Sequence, residues 1–123
     1  MTRINCVPVT ELVDKHLVAE YRELPRIYKL ARACRERGVN PGTLPATYRL
    51  GKGHVLFFYN RLGFIKKRHG ELIREMLRRG FQVNFPTPPT ISDLPNSWRH
   101  DWQPTDEAME LNRARIAERL GAS

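Results

Sequence analysis

Two positions carry residue types suited to covalent chemistry. The chain begins Met1-Thr2-Arg3, and a residue as small as threonine in second place permits removal of the initiator methionine. The amine then exposed on Thr2 would have a pKa of about 8, well below that of a lysine, so a useful fraction is neutral at cellular pH. A neutral amine can attack an electrophilic carbon and pass to a Schiff base without a specially buried lysine. Glu23 is the second position. It falls among the cationic side chains Lys15, His16, Arg22 and Arg26, where a carboxylate can stabilise developing positive charge and move protons. Taken by itself, Glu23 is more ordinarily read as one half of an i,i+3 ion pair with Arg26 on a solvated face. Arg3, Arg22, Arg26, Arg115 and Arg119 form a candidate phosphate-binding set, because the planar guanidinium fork matches phosphate oxygens. His16 lies on the Glu23 face; it and His69 also read as packing or surface histidines.

Other chemistries lack their residues. The two cysteines, Cys6 and Cys34, sit in no CxxC and in no Cys/His cluster with metal-ligand spacing, so neither a disulfide framework nor a structural zinc is expected. No organic cofactor is implied. Gly51-Lys52-Gly53-His54 contains a GxG but follows no strand and lacks a third glycine, and it reads as a tight turn. No nucleophile elbow is present. Charged residues through the first twenty positions exclude an apolar signal-peptide core. The longest apolar run, Val55-Leu56-Phe57-Phe58-Tyr59, is far short of a membrane span. A cytoplasmic chain is expected. Its formal charge of +8, from 21 Lys plus Arg against 13 Asp plus Glu, calls for a polyanionic partner.

Three helical segments must position these side chains. The first is predicted from about Glu11 to Arg37, with Thr10 as a cap. Val13, Leu17, Tyr21, Leu24, Tyr28 and Ala31 form its buried face, and Pro25 kinks it. The second is predicted from about Gly53 to Arg79, with Phe58, Leu62, Ile65, His69, Leu72 and Met76 inside. Its outer face would carry Arg61, Lys66, Lys67, Arg68, Arg74, Arg78 and Arg79. Pro86, Pro88, Pro89, Pro95 and Pro104 rule out a long helix between Phe81 and Pro104. Ile91, Leu94, Trp98 and Trp102 make that stretch an ordered loop wrapped on the helices. The third helix starts near Thr105-Asp106-Glu107 and ends at Gly121, with Met109, Ile116 and Leu120 inside and Arg113, Arg115 and Arg119 outside. A compact all-α single domain over residues 1–123, without repeats or a visible oligomer interface, is the expectation.

The opening block TRINCVPVTELVDKHLVAEYRELPR closely resembles the start of the phage-type pyrimidine-dimer endonucleases, which are DNA glycosylases with abasic-site lyase activity. The likeness resumes at LGKGHVLFFYNRLGFIKKRHGELIREMLRRGF and at ISDLPNSWRHDW, and fades into ARIAERL. It implies three helices with the N-terminal segment threaded between the first two. It implies the Thr2 amine as nucleophile and Glu23 as acidic catalyst. Arg22 and Arg26 would grip phosphates beside the lesion, with Arg3 and Arg115 near the same site and Arg119 standing where the family has a lysine. The partner would be double-stranded DNA carrying UV-induced pyrimidine dimers, kinked and with a base flipped out, so that the protein would sit on the nucleoid. Two departures bear on lesion preference: Gly121-Ala122-Ser123 stands where the family pattern carries an aromatic, basic tail, and Lys15 replaces an amide side chain. An abasic-site lyase, a glycosylase for another damaged base and a non-catalytic damaged-DNA binder remain as alternatives.

Overall fold

A computed structural model of the protein describes residues 3–122. Among these residues four α-helices form the fold: α1 (Asp14–Glu23), α2 (Arg26–Glu36), α3 (Leu62–Arg78) and α4 (Asp106–Ala122). Short 3-10 turns at Val9–Glu11, Pro41–Thr43, Val55–Phe58 and Asn96–Trp98 connect them. Among the described residues there is no strand, only an isolated bridge between Arg61 and Arg99. With α1 and α2 taken as one rod broken at Pro25, this is the expected all-α arrangement of three main helices.

The break at Pro25 follows from its missing N–H and fixed φ of −58°. Leu17, Leu24, Ile27, Tyr28, Ala31 and Cys34 face the core from this rod. The first helix does not begin at Glu11, however, and Thr10 does not cap it. Residues 9–11 form a separate turn, Leu12 is extended and 2 % exposed, and Val13 is 42 % exposed rather than buried. Arg79 holds this entry from the end of α3, donating to the Val9 carbonyl (3.3 Å) and to Asp14 (2.9 Å).

The second helix likewise starts later than its apolar pattern suggests. Arg61, at φ −121° and ψ 43°, interrupts the path between the Val55–Phe58 turn and α3. Its guanidinium lies 3.9 Å from the centre of the Phe57 ring. It donates to the carbonyls of Phe57 (2.7 Å) and Pro45 (3.2 Å). The first satisfies a carbonyl that a continuous helix would have bonded itself, and the second ties the break to the preceding loop. The expected inner positions Phe58, Leu62, Ile65, His69, Leu72 and Met76 are all buried.

The proline-rich segment is the ordered wrap its apolar residues suggested. Ile91, Leu94 and Trp98 are buried. Trp102 packs among Tyr48, Phe57, Phe58 and Phe64, with ring centroids 4.9–6.1 Å away. Arg32 fastens the segment to α2 through both oxygens of Asp93 (2.8 and 3.2 Å). Thr105 caps α4 by accepting from the Ala108 N–H at 3.0 Å. The inner face of α4 differs from expectation: Ala108 and Asn112 are buried, Met109 and Ile116 half-buried, and Leu120 is 46 % exposed.

Candidate active site

The N-terminal segment crosses the molecule in extended form, with Ile4, Asn5, Cys6 and Val7 buried. A chain without helical or sheet partners must find acceptors and donors elsewhere or lose stability. Here side chains supply them. The Oδ1 atom of Asn112 on α4 accepts from the N–H groups of Cys6 (2.7 Å) and Val7 (3.1 Å), and its Nδ2 donates to Asn5 Oδ1 (2.7 Å). Asn5 Nδ2 donates to Glu20 Oε1 on α1 at 2.8 Å. Glu20 also receives Nε (2.8 Å) and a terminal nitrogen (3.0 Å) of Arg68 on α3. The remaining nitrogen of Arg68 donates to the Val7 carbonyl. Three helices therefore grip one extended segment through a continuous buried polar network.

That network corrects one expectation directly. Arg68 was assigned to the outer basic face of the second helix, yet it is 3 % exposed and paired with a Glu20 that is 1 % exposed. Arg79 is bonded to Glu75 and Asp14, and Arg113 on α4 is paired with both oxygens of Glu11 (2.9 and 2.8 Å). Arg68 and Arg79 are thus covered, whereas Arg113 keeps the outward, exposed position expected of it while pairing with Glu11 at the surface.

Beyond Ile4 the segment reaches α1. The backbone N–H of Arg3 donates to Glu23 Oε2 at 3.3 Å. Around this contact lies a cleft of about 70 Å³ lined by Arg3, His16, Ala19 and Glu23 together with Arg115 and Arg119. Helical spacing explains the grouping. His16, Ala19 and Glu23 repeat at three and four along α1, and Arg115 and Arg119 are four apart on α4, one turn beyond the anchored Asn112. The half-buried Arg3 guanidinium is held below its usual pKa by burial and by repulsion from Arg119 and Arg115. Cations crowded in this way favour an anion, whose charge relieves their repulsion. His16 is also lowered from its ordinary value, first by burial and then by Arg119, Lys15 and Arg3, so it faces the cleft as a neutral imidazole at neutral pH.

The remaining arginines lie elsewhere. Arg22 points to the other side of α1. There it borders an apolar hollow of about 510 Å³ with Tyr21, Pro25, His69 and Phe85, the last 78 % exposed. Arg26 opens α2 and is exposed. Thr2 lies outside the described residues. Among the described residues no cluster of His, Cys, Asp and Glu could hold a metal ion, and no helix is long and apolar enough to cross a membrane.

A carboxylate beside a cationic cleft, bonded to the backbone of Arg3, suits a reaction on an anionic substrate. The family comparison decides which one. A family model described as pyrimidine dimer DNA glycosylase matches residues 1–88 of the 123. The chain belongs to this family. It is thus a DNA-repair glycosylase, and its substrate is DNA. The match spans α1, α2 and α3 and hence Arg3, His16, Arg22, Glu23 and Arg26. It stops within the proline-rich segment, short of α4, whose Arg115 and Arg119 line the cleft and whose Asn112 anchors the N-terminal segment.

Proposed function

We propose that this glycosylase excises cyclobutane pyrimidine dimers through a Schiff base on the amine of Thr2 and then cuts the strand as an abasic-site lyase. The observation that carries the reading is the 3.3 Å contact between the Arg3 N–H and Glu23. Thr2 is bonded to that same Arg3 nitrogen. Covalent geometry therefore keeps its amine within about 4 Å of it, whatever the local conformation. On this reading a nucleophile and a carboxylate meet at one place.

With Met1 removed, the neutral amine attacks C1′ of the 5′ sugar of the lesion. The glycosidic bond breaks and the base leaves with its electron pair. Glu23 stabilises the positive charge that develops on the sugar and passes protons as the ring opens to the imine. The imine makes the C2′ proton acidic; its removal expels the 3′ phosphate by β-elimination. Arg3, Arg115 and Arg119 hold phosphates at the cleft, His16 hydrogen-bonds beside them, and Arg22 and Arg26 grip the backbone along α1 and α2. The unit acts as a single-domain monomer on duplex DNA in the nucleoid.

Borohydride trapping tests this on a duplex with one cyclobutane dimer, with an abasic duplex in parallel. A covalent adduct on both, mapped by peptide sequencing to Thr2, is the expected result. An adduct on the abasic duplex alone would leave a lyase without dimer excision. No adduct on either, from protein shown by intact mass to lack Met1, would overturn the enzyme chemistry and leave a DNA-binding protein.

Phosphate-dominated binding makes a second prediction. If these five arginines each displace a counterion, log K for undamaged duplex falls against log salt with a slope of about −4.5. Fluorescence anisotropy between about 50 and 200 mM salt measures it. A flat line would remove the arginines from the binding surface.

A further inference from the structure

The Gly51-Lys52-Gly53-His54 turn has no part in the chemistry above. Gly51 and Gly53 sit at φ +72° and +84°, in the left-handed region that glycine takes without strain. A Cβ on Gly53 would also lie 3.2 Å from Arg49 Cδ. The turn closes with the His54 N–H on the Gly51 carbonyl (3.1 Å). It drops the His54 ring into the core, 3 % exposed, edge-on to Tyr48 and Phe58. Both ring nitrogens are engaged. Nδ1 is 2.8 Å from the Arg49 carbonyl, which can only accept, so Nδ1 carries the proton. Nε2 is 2.9 Å from the backbone nitrogen of Ile4, which can only donate, so Nε2 offers its lone pair. Only the neutral imidazole in this one tautomer makes both bonds.

We propose that His54 is a positioning residue for the N-terminal nucleophile, acting through the Ile4 N–H. The inference rests on the Thr2 reading above. Residues 5–7 are already held by Asn112, Glu20 and Arg68. The Ile4 bond is the last side-chain anchor before Arg3, whose own N–H meets Glu23. Two consecutive N–H groups are thereby fixed, one on the imidazole and one on the carboxylate. They set the point from which the Thr2 amine is offered to C1′. A displacement of the order of 1 Å at such a point can cost about 10²-fold in rate.

The arrangement is sensitive to protons. The ionisable groups acting on His54 are Arg3, which opposes protonation, and Glu20 of α1, which favours it; the Tyr48 phenol ring lies against it. Burial is the largest effect and lowers the imidazole below its ordinary 6.5. The anchor is therefore intact at neutral pH and is lost as pH falls through that lowered value.

Three variants separate the roles of the two nitrogens. In His54→Gln the amide oxygen falls near the place of Nε2 and can still accept from Ile4; His54→Asn reaches only the Nδ1 side; His54→Phe keeps the ring and accepts nothing. The readout is the single-turnover rate constant of borohydride-trapped adduct on an abasic duplex at saturating protein. His54→Asn and His54→Phe should be slower by about 10- to 10²-fold, with His54→Gln within about threefold of the wild type. Duplex affinity should stay level in all three. Below pH 6.5 the wild-type profile should steepen by one proton and that of His54→Gln should not. If the wild type itself traps nothing, the nucleophile reading fails first, and this inference with it. If the wild type traps and His54→Phe matches it, the positioning role alone is overturned. Rescue by Asn instead of Gln also overturns it, as does a lowered adduct yield at an unchanged rate constant. Should His54→Phe or His54→Asn not fold, the pH profiles of the wild type and His54→Gln decide, and identical profiles overturn the proposal.

Discussion

Replacing Glu23 by Gln is expected to slow base release by about 10²- to 10⁴-fold, the range for removing a positioned acid–base group, while duplex affinity stays within a few-fold. The substitution is nearly isosteric. A glutamine oxygen can still accept the Arg3 N–H that Oε2 receives at 3.3 Å, so the N-terminal segment keeps its place and only the negative charge is lost. The charge is what the mechanism needs: the sugar becomes cationic as the base departs, and a neutral amide cannot stabilise it or carry its protons. Binding draws instead on the arginines around the cleft, which Glu23 opposes rather than assists. Single-turnover excision from a dimer duplex, with anisotropy on the same duplex, measures the two effects separately. Full excision by Glu23→Gln would remove Glu23 from the chemistry. Equal loss of binding and excision would make it a structural contact of the N-terminus.

The chemistry-bearing residues were more legible in the sequence than the framework that aims them. Glu23, His16, Arg3, Arg115 and Arg119 were singled out from their types and the family likeness, and the fold brings them into one cleft. Arg22 was placed with them, yet it borders a different hollow, because neighbouring residues on a helix point in different directions, and Arg26 opens α2 beyond the Pro25 break. Helix existence and most of the inner faces of α1 to α3 were readable from the three-four repeat, but the inner face of α4, where Ala108 and Asn112 are buried and Leu120 is exposed, was not. The starts at Glu11 and Gly53 were not, because Arg79 bonds to the Val9 carbonyl and Arg61 to the Pro45 carbonyl from a distance, and these bonds stabilise breaks that local propensity does not encode. The buried network was missed for a different reason. Glu20, Arg68 and Asn112 were read by polarity as surface residues or passed over. Each in fact sits three or four residues from apolar positions of its own helix: Glu20 between Leu17 and Leu24, Arg68 between Ile65 and Leu72, Asn112 between Ala108 and Ile116. A polar residue in phase with an apolar stripe was the available signal. His54 gave less, since only the threading of residue 4 past it shows what its ring does.

The largest stability effect is expected at that network. Arg68→Met should destabilise the protein by about 3–5 kcal/mol, because it keeps the aliphatic volume and strands the Glu20 charge in the core. Glu20 would keep Asn5 as a donor but lose both nitrogens of Arg68 at 2.8 and 3.0 Å, and the Val7 carbonyl would lose its side-chain donor. Against a total of about 5–15 kcal/mol for a domain, such a loss leaves little reserve at 37 °C. Urea denaturation of the wild type, Arg68→Met, Glu20→Leu and the double variant measures the coupling. The double variant should be more stable than Arg68→Met, because it no longer buries an unpaired charge. It should still excise more slowly than the wild type, since Asn5 and Val7 have lost the partners that fix the segment leading to Glu23. A double variant with both wild-type stability and wild-type excision would mean that apolar packing alone can aim the N-terminus. A buried ion pair is seldom the most stabilising way to fill a core. Slower excision from a well-folded double variant would show why this core holds one: the extended segment needs fixed partners of defined geometry, and methyl groups do not supply them.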